Sequence, residues 1–262
     1  MTDYVANRGL RIAYDVAGSG DEDVVLLHGL GQRRADWASC GYVDGLSDRF
    51  RVICVDSLGH GESDSPSDCS VYTRSQRAGD VIAVLDGVGV QRAHVIGYSM
   101  GGWLASALLL HSPQRLWSLC FGGWDPVGGM AGVRSFVKAK LGVDLDFDAV
   151  LGGFREQYPE YTDWITTDRE PALRCCFEEV EDVEGVEQAL EVTALPVLFW
   201  DGKKDPHHHP SRDLATRPPH ADFLETPGDH AAAFYDHPDE AVLGLRSFLA
   251  TGTSASPAPN GR

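Results

Sequence analysis

The sequence predicts an α/β architecture: a mostly parallel central sheet flanked by helices, with a small helical insertion. Three observations carry this. Runs such as Val24, Val25, Leu26, Leu27 and Val52, Ile53, Cys54, Val55 are apolar with no polar alternation, as strands buried on both faces are. Stretches at helical spacing separate these runs, which implies right-handed crossovers between parallel strands. The rhythm breaks once, between residues 124 and 195, where no strong strand pattern occurs.

In chain order, residues 4–16 alternate loosely around Asn7-Arg8-Gly9 and predict a first hairpin. The next strand ends at His28-Gly29-Leu30-Gly31, and a helical stretch through Trp37 and Leu46 leads to the strand at 51–56. Residues 58–63 form a glycine-punctuated loop; 74–88 place Ala78, Val81, Ile82 and Leu85 on one helical face. A strand through Val95 and Ile96, a helix over 103–110 and a strand over 116–121 follow. The segment 124–195 holds 16 acidic and 6 basic residues and predicts a helical insertion that roofs the carboxyl ends of the strands. Its Phe177, Val180, Val183, Val186 and Leu190 predict a core-facing stripe. Strands at 196–200 and 221–225 and a helix at 238–250 complete the pattern. The expected division is a core of 1–123 and 196–250, a helical cap of 124–195 and a disordered tail of 251–262.

Net charge is -17 over 262 residues, which disfavours nucleic acid or an anionic membrane as partner. The acidic insertion points to a neutral or cationic small molecule rather than a polyanion. The N-terminus has no apolar signal-like region and no run reaches a membrane span. The six cysteines show no C-x-x-C spacing; reduced thiols in a cytoplasmic protein are expected. Sequence sets no oligomeric state.

The densest signal is Gly97-Tyr98-Ser99-Met100-Gly101 between an apolar strand and a helix. In a sharp strand-to-helix turn of this kind the serine is held in a strained backbone and its neighbours two residues away must be glycine. Active sites in parallel α/β sheets lie beyond the carboxyl ends of the strands, where His28, Asp56, Ser99 and Trp124 fall.

With His28-Gly29-Leu30-Gly31, the loop from Asp56 to Ser63, Gly202-Lys203-Lys204-Asp205-Pro206 and Gly228-Asp229-His230, the chain resembles the α/β-hydrolase superfamily, in its serine-nucleophile esterase or lactonase branch. The resemblance spans residues 24–230 and implies an α/β-hydrolase fold with Ser99 as nucleophile, His230 as base and Asp205 as the acid that orients it. It assigns the oxyanion hole to the backbone N–H groups of Leu30 and Met100. Asp125, after the next strand, is the alternative acid. Two lysines precede Asp205 where the family commonly has arginine or glutamate, and Pro-Gly-Asp-His replaces the usual Gly-x-Gly-His. His60 is expected to brace the glycine loop and His28 the strand end. His207-His208-His209 is expected to be a solvated loop rather than a metal site, because neighbouring side chains diverge. No cofactor and no metal are implied. Tyr98 and Trp124, with Leu30 and Met100, are the pocket candidates, with Phe136, Phe154 and Trp164 as possible roof; Trp37 and Trp103 are expected in the core.

The expected reaction is acyl transfer to water from a carboxylic ester or lactone of a small uncharged molecule, through an acyl-enzyme on Ser99. The same residues would also serve C–C bond hydrolysis, perhydrolysis or a biosynthetic thioesterase or cyclase. A ligand-binding receptor with little turnover is the alternative of another class.

Overall fold

The chain opens on a hairpin: β1 (Asp3–Asn7) and β2 (Leu10–Ala17) pair antiparallel, with Asn7 opposite Leu10. Arg8 and Gly9 between them take φ values of 54° and 78°, the paired positive angles of a tight hairpin turn. The computed structural model describes residues 2–252. β3 (Glu22–Leu27), α1 (Arg34–Ser39), α2 (Tyr42–Leu46), β4 (Phe50–Val55), α3 (Arg74–Gly87), β5 (Ala93–Tyr98), α4 (Met100–His111) and β6 (Leu116–Gly122) follow. Five helices come next: α5 (Gly129–Leu141), α6 (Phe147–Gln157), α7 (Pro159–Thr162), α8 (Glu170–Glu179) and α9 (Val186–Val192). The chain then returns through β7 (Val197–Gly202), α10 (His208–Leu214), β8 (Ala221–Thr226), α11 (Ala232–Tyr235) and α12 (Pro238–Gly252).

The eight strands form one sheet in the order β1-β2-β4-β3-β5-β6-β7-β8. β2 meets β4 antiparallel, and every pairing from β4 to β8 is parallel. Alternate residues of the central strands feed two separate cores. Val25, Leu27, Val95, Phe121 and Phe199 pack with α3 and α4. Val24, Leu26, Ile96, Cys120 and Trp200 pack on the opposite face with α2 and α12. This is why the strand sequences show no polar alternation. Trp37 and Trp103 are both fully buried, as expected of core residues.

The helices between β6 and β7 carry a small core of their own, built on Phe147, Leu151, Ile165, Leu173 and Phe177. The expected apolar stripe is divided: α8 ends at Glu179 and α9 begins at Val186, so its members serve two helices and the turn between them. Arg74 of α3 and Trp103 of α4 donate to the carbonyls of Asp182 and Glu184 in that turn.

Two expectations are corrected. Cys69, in a single 3-10 turn, is disulfide-bonded to Cys175 of α8, while Cys40, Cys54, Cys120 and Cys176 are free and buried. The partners lie 106 residues apart, so no local spacing betrays them. The cytoplasmic expectation loses the support it drew from reduced thiols. The last helix runs through Gly252 instead of stopping at 250; the rest of the expected tail, 253–262, lies outside the described residues. Among the described residues no helix is long and apolar enough to cross a membrane.

A bond closing so long a loop restricts the unfolded chain strongly. Cys69→Ala is expected to lower unfolding free energy by about 2–5 kcal/mol in urea titrations. Reductant should bring the wild type down by a similar amount and leave the variant unchanged.

Candidate active site

Ser99 sits at the junction of β5 and α4 with φ 55° and ψ -116°; Arg8 is the one other described non-glycine residue at positive φ. The turn is tight because strand and helix backbones nearly touch. A Cβ on Gly97 would collide with the carbonyl of Gly101, and a Cβ on Gly101 with the carbonyl of Leu27. The Ser99 amide donates to the carbonyl of Gly122 at 2.7 Å, and the Ser99 carbonyl accepts from Gly102 and Trp103. The first turn of α4 therefore begins directly beneath the hydroxyl, with its positive end facing it.

The hydroxyl meets a relay. Ser99 Oγ is 3.0 Å from His230 Nε2, and His230 Nδ1 donates to Asp205 Oδ2 at 2.7 Å. The other oxygen of Asp205 accepts the His207 amide at 2.8 Å. The Asp205 side chain is fully buried, whereas that of His230 is 39 % exposed on its open edge. Burial disfavours the imidazolium, but the charge and hydrogen bond of Asp205 outweigh it and hold His230 above the usual imidazole value. Burial likewise pushes against the Asp205 carboxylate, and His230 more than compensates, so its pKa lies below the ordinary range.

Asp125 is not in this relay. Its Oδ1 accepts the amides of Val127 and Gly128 at 2.9 Å, closing its own turn, while its backbone N–H donates to His207 Nδ1 at 3.1 Å.

The loop after β3 lies against the serine: a Cβ on Gly29 would stand 3.1 Å from Ser99 Cβ. Gln32 Oε1 accepts the Gly29 amide at 2.6 Å, and its Nε2 donates to Tyr235 Oη at 2.9 Å. His60 Nε2 accepts the Gly31 amide at 3.2 Å, and His28 Nε2 accepts the Ser57 amide at 3.0 Å. Accepting these bonds requires neutral rings. Burial supplies them, lowering His28 to about 4 and His60 well below its usual value. The expected bracing roles of both histidines are what the geometry displays. Among the described residues, neither the Leu30 nor the Met100 N–H has a hydrogen-bond partner. Two free amides beside a serine can receive a developing oxyanion.

Above the serine lies a cavity of about 250 Å³. Leu30, Met100 and Trp124 line it as expected, joined by Met130, Val133 and Val137 of α5, Val150 of α6, and Phe177 and Val180 at the end of α8. Its wall is apolar apart from Ser99, Asp205, His207 and His230. Tyr98 is a correction: it lies behind His230, donating to its carbonyl at 2.5 Å and packing on Trp200 and Phe234. Phe154 covers Gly31 and stacks near Tyr235, and Trp164 packs on His60, so neither lines this cavity; Phe136 borders a neighbouring one.

The histidine run is a second correction. His207 and His208 are each 4 % exposed and His209 alone is exposed, because α10 starts here and turns the first two rings inward. His208 bonds Glu225 at 2.7 Å. Asp205, His207 and His230 offer ligand atoms within 4.8 Å of one another, yet both Asp205 oxygens are already engaged, so an ion there would displace the His230 contact.

Sequence reasoning missed Asp201, at the end of β7. It is fully buried and neither carboxylate oxygen has a hydrogen-bond partner among the described residues. Burial first, then the Asp205 charge, drive its pKa well above the usual range. Its place in the Asp201-Gly202-Lys203-Lys204-Asp205 loop was visible; its burial was not.

A family model described as "alpha/beta hydrolase fold" matches residues 24–124. The strand order, the serine turn and this match agree. The chain has the α/β-hydrolase fold. It is 38 % identical over 120 residues to the dihydrolipoyllysine-residue acetyltransferase component of the acetoin cleaving system of Cupriavidus necator, covering 46 % of this chain and 30 % of that one. It is 40 % identical over 130 residues to a 2-hydroxy-6-oxononadienedioate/2-hydroxy-6-oxononatrienedioate hydrolase of Paraburkholderia phymatum, covering 49 % and 43 %. The chain thus spans less than half the length of these curated relatives. In structure it is similar to the enol-lactonase of Burkholderia xenovorans, with a TM-score of 0.76 and 24 % identity over 95 % of this chain and 100 % of that one.

Neighbouring carboxylates with divergent environments make the two aspartates separable. Asp205→Asn is expected to lower turnover about ten-thousandfold, while Asp125→Asn leaves it within severalfold. For a base at His230 only the neutral ring accepts a proton, so the acid limb of kcat/KM is expected above the ordinary imidazole value and is expected to shift downward in Asp205→Asn. Rate–pH profiles with both variants check this.

Proposed function

We propose that this α/β hydrolase is a serine hydrolase that cleaves a carboxylic ester or lactone of a small molecule. The observation that carries the reading is the continuous chain of contacts from Ser99 through His230 to Asp205, at 3.0 and 2.7 Å. A serine hydroxyl becomes nucleophilic when a base removes its proton during attack. In the proposed cycle His230 Nε2 takes the Ser99 proton as Oγ bonds the substrate carbonyl carbon. The resulting oxyanion accepts from the Leu30 and Met100 amides, each donor worth roughly 3–4 kcal/mol of barrier. Imidazolium then protonates the leaving alkoxide as the C–O bond breaks, giving an acyl-Ser99. Water, deprotonated by His230, attacks that acyl group and releases the acid, and the proton returns to Ser99. Asp205 fixes the tautomer and stabilises the imidazolium throughout.

We further propose that α5–α9 act as a cap whose apolar side chains hold the non-reacting part of the substrate. No cofactor enters this scheme. C–C bond hydrolysis is the second reading, favoured by the 40 % identity to the Paraburkholderia phymatum hydrolase; it would use the same serine relay.

A fluorophosphonate probe should label the protein at Ser99, and Ser99→Ala should abolish labelling. A panel of short aryl esters, lactones and vinylogous diketones then separates the readings. Ester or lactone turnover with no diketone cleavage supports the first, and the converse supports the second. Unlabelled Ser99 overturns both.

A further inference from the structure

The chain has only four lysines, Lys138, Lys140, Lys203 and Lys204. Three of them, Lys140, Lys203 and Lys204, border one cavity of about 340 Å³. This second cavity shares Val133, Asp205, Pro206 and His207 with the one above Ser99, so the two meet at the wall formed by His207. In a protein of net charge -17, such a gathering of cations runs against the bulk composition.

The charges in this cavity are largely unspent. Lys140 Nζ lies over the Phe136 ring at 4.9 Å, and among the described residues neither it nor Lys204 has a carboxylate within ion-pair distance. Lys203 reaches Glu225 only at 3.8 Å. Two acidic side chains border the space, and both are engaged: Asp125 with its own turn, Asp205 with His230 and the His207 amide. The remaining observation is His207 itself. It is 4 % exposed, and its Nδ1 accepts the Asp125 amide, which puts the ring proton on Nε2. No described residue accepts from that Nε2–H. Burial holds this ring neutral, with its pKa lowered to about 4. The Nε2 atom itself is not sealed off, and the ring borders both cavities, where a ligand could accept from it.

We infer that the substrate carries a carboxylate, which lies in the lysine-lined cavity and accepts from His207 Nε2–H, while its apolar body and scissile bond lie over Ser99. The inference rests on the reading of the Ser99 cavity as a substrate site and adds a substrate class to it. It also reverses the expectation of an uncharged substrate. That expectation came from the summed charge of the acidic insertion 124–195, whereas a ligand within a cavity responds to the charges nearest it, distant ones being screened within about 10 Å at ordinary salt.

The test is binding of 4-phenylbutyrate against 4-phenylbutan-1-ol, measured by calorimetry on the full chain. These have one apolar body with a charged or a neutral end. The wild type should bind the acid about tenfold more tightly, and the preference should shrink as salt is raised. In Lys140→Ala/Lys203→Ala/Lys204→Ala, whose three sites are exposed, the ratio should fall towards one. Equal affinities in the wild type, or a preference that survives loss of the lysines, overturn the inference. A tighter fit for 3-phenylpropyl phosphate than for the acid overturns the carboxylate assignment in favour of a phosphate. Fluorophosphonate labelling of the wild type reports separately on the hydrolase reading, so either can fail alone.

Discussion

The close approach of two backbones at Gly97 and Gly101 is the constraint from which the site follows. β5 and α4 can meet at that distance only where no side chain intervenes, and the residue between them must then turn through positive φ. For an L-residue other than glycine, asparagine or aspartate this conformation is uncommon and costs of order 1–3 kcal/mol. The surrounding structure holds it through the Ser99 amide bond to Gly122 and the first turn of α4. The result is a hydroxyl whose position is set by strands and a helix rather than by its own rotamer. His230, Asp205 and the loop after β3 are then placed relative to a fixed point, because each extends from the carboxyl end of a strand in the same sheet. A preorganised arrangement of this kind spends no reorganisation energy when charge develops.

Most of the architecture was legible in the sequence because its signals are local. Apolar runs without alternation, glycines at fixed offsets from Ser99, and Arg8-Gly9 between short strands each report a backbone geometry that the residues themselves demand. The order Ser99, Asp205, His230 was legible for the same reason: every member sits just past a recognisable strand. What escaped was relational. Cys69 and Cys175 are joined only by the fold. Tyr98 neighbours Ser99 in sequence, yet strand alternation sends its ring to the opposite face, behind His230. His207 and His208 looked like solvent residues because three polar side chains in a row are usually exposed; a helix beginning at His208 buried two of them.

Electrostatics at the carboxyl end of β7 divide labour between two aspartates four residues apart. Asp201 is buried without a partner and Asp205 is buried with His230. Two like charges so close to one another cannot both persist in a buried site. The pair resolves in the direction the hydrogen bonds dictate: Asp201 holds its proton and Asp205 holds the charge. Asp205 is the strongest of the carboxylates that raise His230, with Asp201 and Asp229 after it. The histidines follow the same logic. His28, His60 and His207 are neutral because burial finds no carboxylate hydrogen-bonded to them. His230 differs through its contact with Asp205.

The same distinction between amount and placement separates the charge of the helical segment from the lining of the two cavities. The helical segment over the site is acidic in total, yet the residues of that segment that face the Ser99 cavity are almost all apolar. Its carboxylates are spent outward, as with Asp144 on Lys138 and Asp148 on Arg174. Lys140, Lys203 and Lys204 border the adjoining cavity, which shares His207 with the first. A ligand crossing that wall would therefore meet an apolar chamber at one end and a positive one at the other. Neither end is apparent from composition, because composition averages over the surface while recognition depends on the few groups that share a cavity.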